Sequence, residues 1–348
     1  MITIIIAGGS GTRLWPLSTP NKPKQLLGLI DEKTMIQNTY DRSKAFADEV
    51  YIAPETSLVE ELKNQIPQLE DDHIVIEPGR RGTANCIVAA LAHVAKRHDA
   101  NESIAIYWAD HHIRDVKGFA RVFNIAAEAS KKSGLVSLVG IEPTYASTVL
   151  GYIEKGVEYS EVRGVYEVSS FKEKPDFETA KQFVKSGNYL WNCGYMVATI
   201  QTYLDQFEAH APLLKQRFDQ IMEIEDERSQ EYADLYLSYE SDAIDYAFTE
   251  HVDKMIVVPA TFDWMDVGNF KDLYDSVEKD EAGNYLHGDN IHPIDIESVY
   301  VRNEEPDKPI AVIGLDNIVV VNTPDGILVA RTDTAARVGE VAKKIQIN

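Results

Sequence analysis

Residues 2–27 read "ITIIIAGGSGTRLWPLSTPNKPKQLL". The run "ITIII" is continuous, apolar and mostly β-branched, the pattern of a strand buried on both faces. Gly8, Gly9 and Gly11 follow it directly. A glycine-rich turn behind a buried first strand exposes backbone N–H groups and lets phosphate approach closely. Arg13 comes next, with a guanidinium fork suited to phosphate oxygens. In "NKPKQ" the residue before proline is held extended, which predicts that Lys22 and Lys24 project to one side. "GSGTRL" has Leu14 where a dinucleotide fingerprint requires its third glycine, and no Walker sequence is present. For the glycines alone, a plain tight turn is the competing reading. With the cations added, the stretch suits a triphosphate better than a dinucleotide.

Outward from this loop, "VYIA", "HIVIE", "SIAIYWA" and "GLVSLVG" read as further buried strands. Between them, Thr34 is expected to start one helix, and Ser57 with Glu60 to form a capping box for a second. "TANCIVAALAHVAKRH" gives a third. Such strand–helix alternation predicts an α/β fold with a Rossmann-like, mostly parallel (mixed) sheet covered on both faces. Further on, "GVYEVSSFKEKP" reads as a long strand, Asp176 as the start of a helix and Gly187 as its C-cap. Residues 201–250 read as charged helices, and "MIVVP" returns to strand. After about residue 284 the helices largely stop, and "PIAVIG", "NIVVVN" and "GILVA" are short strands between turns. The expected organisation is a catalytic domain over 1–284 and a small β-rich domain over 285–348.

The chain has 348 residues and a formal net charge of −22, which disfavours nucleic acid as a partner. Any site for a phosphate compound must gather its positive charge locally. No apolar stretch has the length of a membrane span, and no basic leader precedes "ITIII". Cys86 and Cys193 make no disulfide framework, so a reducing cytoplasm is the expected location. Cys193 reads as a small packing residue rather than a nucleophile.

Asp110 follows the strand "SIAIYWA", at the carboxyl end where ligands of open α/β sheets collect. Asp266 lies in "WMDVG" behind "MIVVP". Alone, each is equally an aspartate capping a loop. Lys172 and Lys174 are expected to share a strand face. His111 and His112, being adjacent, cannot share one and read as loop residues, so zinc is not expected. No Ser-His-Asp or Cys-His constellation appears.

The set "GGSGTRLWPLS…PKQ", "EPGRRGTA", "ADHHI", "GYIEKG", "FKEKP", "WNCGYM" and "WMDVGNF", in that order, resembles the sugar-1-phosphate nucleotidyltransferases over residues 2 to 275. The filling "LWPLS" is most similar to the branch that makes GDP-mannose from GTP and mannose 1-phosphate. The resemblance implies catalytic roles for Arg13, Lys24, Asp110 and Lys174. It implies nucleotide contacts at Ala7, Gly8, Gly9, Gly11, Thr12, Arg13, Lys24, Gly82, Thr83 and Asp110, and at Arg81 or its neighbour Arg80. It implies sugar contacts at Gly151, Glu154, Lys174 and Asn192, and Mg²⁺ on Asp110 and Asp266. It also implies a homodimer and a terminal unit built as a short left-handed β-helix, while the length of the chain leaves no expectation of the additional isomerase domain that longer relatives carry. Two departures bear on the sugar: "TVLGYIE" places Val149 and Leu150 where relatives carry glycine and tyrosine, and Cys193 replaces a serine. The same chemistry on another sugar phosphate or nucleotide, and a non-catalytic nucleotide-sensing subunit, are the alternatives.

Overall fold

A computed structural model describes residues 1–9 and 11–346. Two compact units make up the chain. The first comprises residues 1–8, 39–109 and 113–264. The second gathers residues 9–38, 110–112 and 265–348, so the opening glycine loop belongs with the C-terminal segment.

In chain order the strands are β1 (Ile2–Ile6), β2 (Glu49–Ala53), β3 (Ser103–Trp108), β4 (His111–His112), β5 (Ser137–Ile141), β6 (Gly151–Glu158), β7 (Tyr166–Lys172), β8 (Tyr189–Thr199) and β9 (Ile256–Ala260). Then come β10 (Met265–Asp266), β11 (Tyr285–His287), β12 (Ile291–Ile294), β13 (Tyr300–Asn303), β14 (Ile310–Ile313), β15 (Ile318–Thr323) and β16 (Gly326–Arg331). The helices are α1 (Met35–Lys44), α2 (Val59–Gln65), α3 (Gly82–Ala95), α4 (Val116–Ser133), α5 (Phe177–Ser186), α6 (Ile200–His210), α7 (Pro212–Met222), α8 (Gln230–Ser238), α9 (Ile244–Ala247), α10 (Phe270–Ser276) and α11 (Val338–Gln346).

The first unit is built on an eight-stranded sheet ordered β2-β1-β3-β8-β5-β9-β7-β6. β1 pairs in parallel with β2 and β3, and β5 with β9, whereas β8 runs antiparallel to β3, β5 and β6. The sheet is therefore mixed, its parallel part lying at the strands that read as unbroken apolar runs. Alternation sends Tyr107 and Tyr195 to one face, where Phe119 and Phe123 of α4 pack on them with ring centroids 5.2–6.1 Å apart. Ile104, Ile106 and Met196 point the other way, into a core shared with α3. "HIVIE" is not a strand: it makes only isolated bridges, Ile52 to Ile74 and Glu55 to Glu77.

Local signals succeed where nothing distant competes. Thr34 Oγ1 accepts from the Gln37 amide at 3.3 Å and Gln37 Oε1 from the Thr34 amide at 2.9 Å, a reciprocal cap for α1. Asp176 caps α5 by accepting from the Thr179 amide, and Gly187 ends it at φ 70°. The box expected at Ser57 and Glu60 does not form, because Thr56 is tied through backbone and hydroxyl to the Glu77 carbonyl. A 3₁₀ turn over Thr56–Leu58 therefore precedes α2, whose N-cap is Leu58.

A charged staple holds the segment around 227 to α3. Glu227 accepts from His93 Nδ1 and faces Lys96 Nζ at 3.2 Å and Arg97 Nη2 at 3.3 Å. Burial opposes ionisation of Glu227, but the hydrogen bond and charge of His93, with the charge of Lys96, outweigh it and hold the carboxyl at about 2. A carboxyl below its ordinary value of 4.5 adds stability above that pH, and the contribution fades as pH falls toward about 2. Wild type should therefore exceed Glu227→Gln in unfolding free energy by roughly 1–2 kcal/mol at pH 6. Urea titrations at pH 6 and pH 3 should show that gap narrowing in acid.

In the second unit, β11, β13 and β15 form a parallel ladder, with Tyr285 opposite Tyr300 and Tyr300 opposite Val319. β12 and β14 form a second parallel ladder, Ile291 opposite Ile310. Successive rungs are thus coiled, and the corners fall on Asn290, Asp295, Ser298 and Asn317 at φ 52–61°. Asparagine and aspartate tolerate that left-handed region better than other side chains. Inside the coil Asn322 donates to Asn303 Oδ1 at 2.8 Å, and Asn303 donates to the carbonyls of Asp289 and Lys308. β16 turns back antiparallel on β15. The expectation that helices largely stop after 284 holds only to residue 331, since a 3₁₀ turn over Thr332–Arg337 leads into α11.

Candidate functional site

The second unit brings Lys24, Asp110 and Asp266 together. Lys24 opens a 3₁₀ turn behind Pro23, which redirects the chain. Lys22 consequently stays exposed while Lys24 is buried, so the expected common projection of the two lysines is not found. Lys24 Nζ lies 2.9 Å from Asp110 Oδ2 and 2.9 Å from Asp266 Oδ1. Its side chain is 6% exposed, those of the aspartates 32% and 30%. The ammonium is therefore covered, and the carboxylates form the rim through which a ligand would be met.

Asp266 sits on β10, paired antiparallel with β4 so that it faces His111. His111 and His112 are thus strand residues rather than loop residues. Burial alone would raise both aspartates. The charges of Lys24 and His111 reverse this, leaving Asp110 low and Asp266 at about 2. Burial would likewise lower Lys24, but the two carboxylates hold it up. Both carboxylates stand ionised beside one shared cation. One oxygen of each already lies 2.9 Å from a single positive centre, and the donor set is all oxygen, so the pair fits a hard divalent ion that takes one or two carboxylates.

The glycine loop closes over this group. Gly11 has φ 58°, and a Cβ there would lie 2.7 Å from Lys24 Cβ. Its carbonyl accepts from Ser18 Oγ and from the Leu14 amide, while Gln25 donates to the Gly9 carbonyl. Gly11→Ala is expected to strain the backbone by about 1–3 kcal/mol and to displace Lys24. A lowered thermal midpoint together with weakened binding of a nucleoside triphosphate, read by calorimetry, checks this. Arg13 is exposed and acts electrostatically on Asp266, its Nη1 lying 3.6 Å from where a Gly268 Cβ would stand. Thr12 begins a 3₁₀ turn beside it.

Within the first unit, two further groups form. β6 and β8 set Gly151 opposite Asn192. β8 bulges at Cys193 and Gly194, as the register jumps from Tyr195–Val139 to Asn192–Gly140. Bulges re-aim neighbouring side chains, and Asn192 donates to Asp245 Oδ1 at 3.0 Å and accepts from the Gly194 amide at 3.1 Å. Burial and the nearby Glu173 raise Asp245, against the Asn192 hydrogen bond. A Cβ on Gly151 would lie 2.6 Å from Glu173 Oε2. Lys174 Nζ contacts Glu173 Oε1 at 2.6 Å.

Lys174 does not share a strand face with Lys172. β7 ends at Lys172, and Lys174 takes φ 39° in a turn. Glu154 falls on the opposite strand face from Gly151 by alternation, where its carboxylate accepts from Ser170 at 2.6 Å. Val149 is exposed, and Cys193 is buried with its thiol pushed up by burial.

The other group surrounds the start of α3. Gly82 has φ 81° and leaves room for the Asp242 carbonyl, which accepts the Ala84 amide. Thr83 Oγ1 accepts from the Ile244 amide at 2.9 Å. Arg80 is bound to Glu55 at 2.8 Å, and Arg81 donates to the Leu237 carbonyl at 2.9 Å. Buried Glu77 accepts from Tyr236 at 2.8 Å, and a Cβ on Gly8 would lie 3.7 Å from its Oε2. Ala7 directly follows β1, its amide bound to the Ala53 carbonyl.

Residues 2–283 match the nucleotidyl transferase family. The chain belongs to it. Residues 290–345 match the MannoseP isomerase/GMP-like beta-helix domain, in accord with the coiled parallel ladders. Relatives of this nucleotidyl transferase include the xanthan biosynthesis protein XanB of Xanthomonas campestris pv. campestris, 37% identical over 99% of this chain and 73% of the relative. A mannose-1-phosphate guanylyltransferase of Salmonella muenchen is 35% identical over 100% of this chain and 74% of its own length. Among solved structures, one described as a mannose-1-phosphate geranyltransferase from Thermus thermophilus superposes with a TM-score of 0.87, at 26% identity and over 99% of each chain.

In this nucleotidyl transferase, Asp245, Glu173, Glu77 and His111 emerge from the fold rather than from any motif reading. Glu77 and Glu173 stood inside quoted motifs, next to the residues singled out, and His111 was read there only as a loop residue. Asp245 had no local signal, because its partner Asn192 is 53 residues away.

Proposed function

We propose that the chain transfers GMP from GTP to α-D-mannose 1-phosphate, giving GDP-mannose and pyrophosphate. One observation carries the reading: Lys24, Asp110 and Asp266 are clustered beneath the glycine loop in a member of this family whose full-length relatives include mannose-1-phosphate guanylyltransferases. A phosphate monoester has a second pKa near 6 and is mostly dianionic at pH 7. It attacks the α-phosphorus of GTP without a general base. A P–O bond forms to the sugar phosphate, and the bond from the α-phosphorus to the α,β-bridging oxygen breaks with its electron pair leaving on pyrophosphate. The chemistry asks for positioning and charge compensation.

Backbone amides of Gly8, Gly9, Gly11 and Thr12, with Arg13 and Lys24, hold the triphosphate and offset the leaving charge. Asp110 and Asp266 are the residues that would hold Mg²⁺, which supplies a Lewis-acidic centre for phosphoryl oxygens when bound. Lys174 orients the attacking phosphate. Gly151 and Asn192, with Asp245 behind them, bind sugar hydroxyls, and Glu154 serves the same subsite. Gly82, Thr83 and Arg81 serve the nucleotide. The buried thiols of Cys86 and Cys193 support a cytoplasmic location. Ile327 and Val329, each 65% exposed on β16, support a homodimer.

Pyrophosphate release, measured with GTP and then with other nucleoside triphosphates across a panel of sugar 1-phosphates, tests the assignment. Preference for mannose 1-phosphate and GTP is the expected outcome. Faster turnover of another sugar 1-phosphate would reassign the acceptor, with Val149 and Leu150 the departures from relatives that bear on the choice. No turnover with any pair, despite nucleotide binding, would favour a sensing subunit.

A further inference from the structure

The loop that carries Arg13 and Lys24 is shaped by residues from the far end of the chain, and all of them lie in the second unit. Arg302 Nη1 donates to the Gly28 carbonyl at 2.9 Å. Thr323 Oγ1 donates to the Pro16 carbonyl at 3.3 Å. A Cβ on Gly326 would lie 2.6 Å from the Trp15 ring. Leu14 and Leu17 share a buried cluster with Tyr300, Val319, Val321, Leu328, Ala335 and Val338. Finally, α11 brings Gly339 against Arg13 itself: a Cβ there would lie 3.3 Å from Arg13 Cγ and 4.0 Å from its Cα.

Gly339 sits near the start of a nine-residue helix without positive φ, so neither a turn nor backbone strain explains its identity. Glycine is a poor helix residue, and alanine would ordinarily be better there. What the missing side chain does provide is room for the stem of Arg13. That stem sets where the guanidinium lies beside Gly268 and Asp266.

We propose that Gly339 is a positioning residue for Arg13: by keeping α11 bare at that point it fixes the guanidinium beside Asp266, and so makes the C-terminal unit part of the transfer apparatus. The inference rests on the assignment of Arg13 to the triphosphate. It separates helix stability from activity. Gly339→Ala should leave the thermal midpoint unchanged or raise it, by helix propensity, yet lower kcat/KM for GTP by about tenfold through displacement of Arg13.

The test is a double-mutant cycle on the full chain, with wild type, Gly339→Ala, Arg13→Ala and the double variant assayed for pyrophosphate release and for thermal midpoint. Arg13→Ala should be impaired, and adding Gly339→Ala to it should cost less than about twofold further, since the group being displaced is gone. Multiplicative losses would overturn the proposal. So would a Gly339→Ala enzyme within about twofold of wild type while Arg13→Ala is impaired, leaving the role of Arg13 intact. If Arg13→Ala alone turns over normally, the assignment of Arg13 falls and the positioning role falls with it.

Discussion

Lys24→Ala should reduce turnover by about a thousandfold or more, the scale seen when a preorganised charge is removed from a transition-state site. The reason lies in the cluster as much as in the substrate. Lys24 is covered, and the carboxylates of Asp110 and Asp266 each lie 2.9 Å from its ammonium. Removing it leaves two ionised, partly exposed carboxylates facing each other with only the charges of His111 and Arg13 to offset them, so the variant should also lose stability. The same loss of charge should make the variant unusually responsive to divalent ions. Added Mg²⁺ should raise its thermal midpoint by more than it raises that of wild type, because the ion replaces the lost charge. Calorimetric scans with and without Mg²⁺ check this independently of activity. Equal shifts in both proteins would mean that the carboxylates do not bind the ion. Near-normal turnover would remove Lys24 from the reaction.

Lys174→Gly should separate stability from function in the opposite sense. Lys174 holds φ 39° immediately before Pro175, a conformation that a residue with a Cβ adopts at a cost of about 1–3 kcal/mol. Glycine takes it freely, so the variant should unfold at the same or a higher denaturant concentration. Its kcat/KM for mannose 1-phosphate should nevertheless fall by about a hundredfold or more, as the cation that orients the attacking phosphate is gone. Lys174→Arg, which keeps the charge and the strain, should recover part of that loss. A glycine variant with normal kinetics would show that the turn serves only the chain reversal after β7.

Much of the frame was legible because its signals are local. Strands β1, β2, β3, β5 and β9 are buried apolar runs, and Asp176 and Gly187 bound α5 through contacts three residues away. That the sheet is mixed was expected, but which strands run antiparallel was not legible. β8 combines a bulge with pairings to three other strands, and nothing in "WNCGYM" dictates which. The Ser57 box failed because the Glu77 segment competes for the same chain. Local spacing misjudged both lysine pairs: the 3₁₀ turn after Pro23 separates Lys22 from Lys24, and the turn at 173–174 separates Lys172 from Lys174.

The carboxylates of the site were found by resemblance and their electrostatics only by geometry, since Lys24 and Asp266 are 242 positions apart. α11 was missed because "VGEVAKKI" is short and opens with a glycine at its second position. That glycine is explained by its contact with Arg13, which no reading of the helix itself would reveal.

The amide pair Asn303 and Asn322 works as a key in a lock. Slide β15 along β13 by one residue and Asn322 turns outward; slide it by two and one of the pair meets a valine, stranding groups whose desolvation costs about 1–3 kcal/mol each. Registration of the coil is thereby settled in its interior, leaving the exposed bend at 314–316 free of that duty. That bend is where evolution, or an engineer, can lengthen the chain or graft a foreign peptide, at a closure cost growing only with the logarithm of its length.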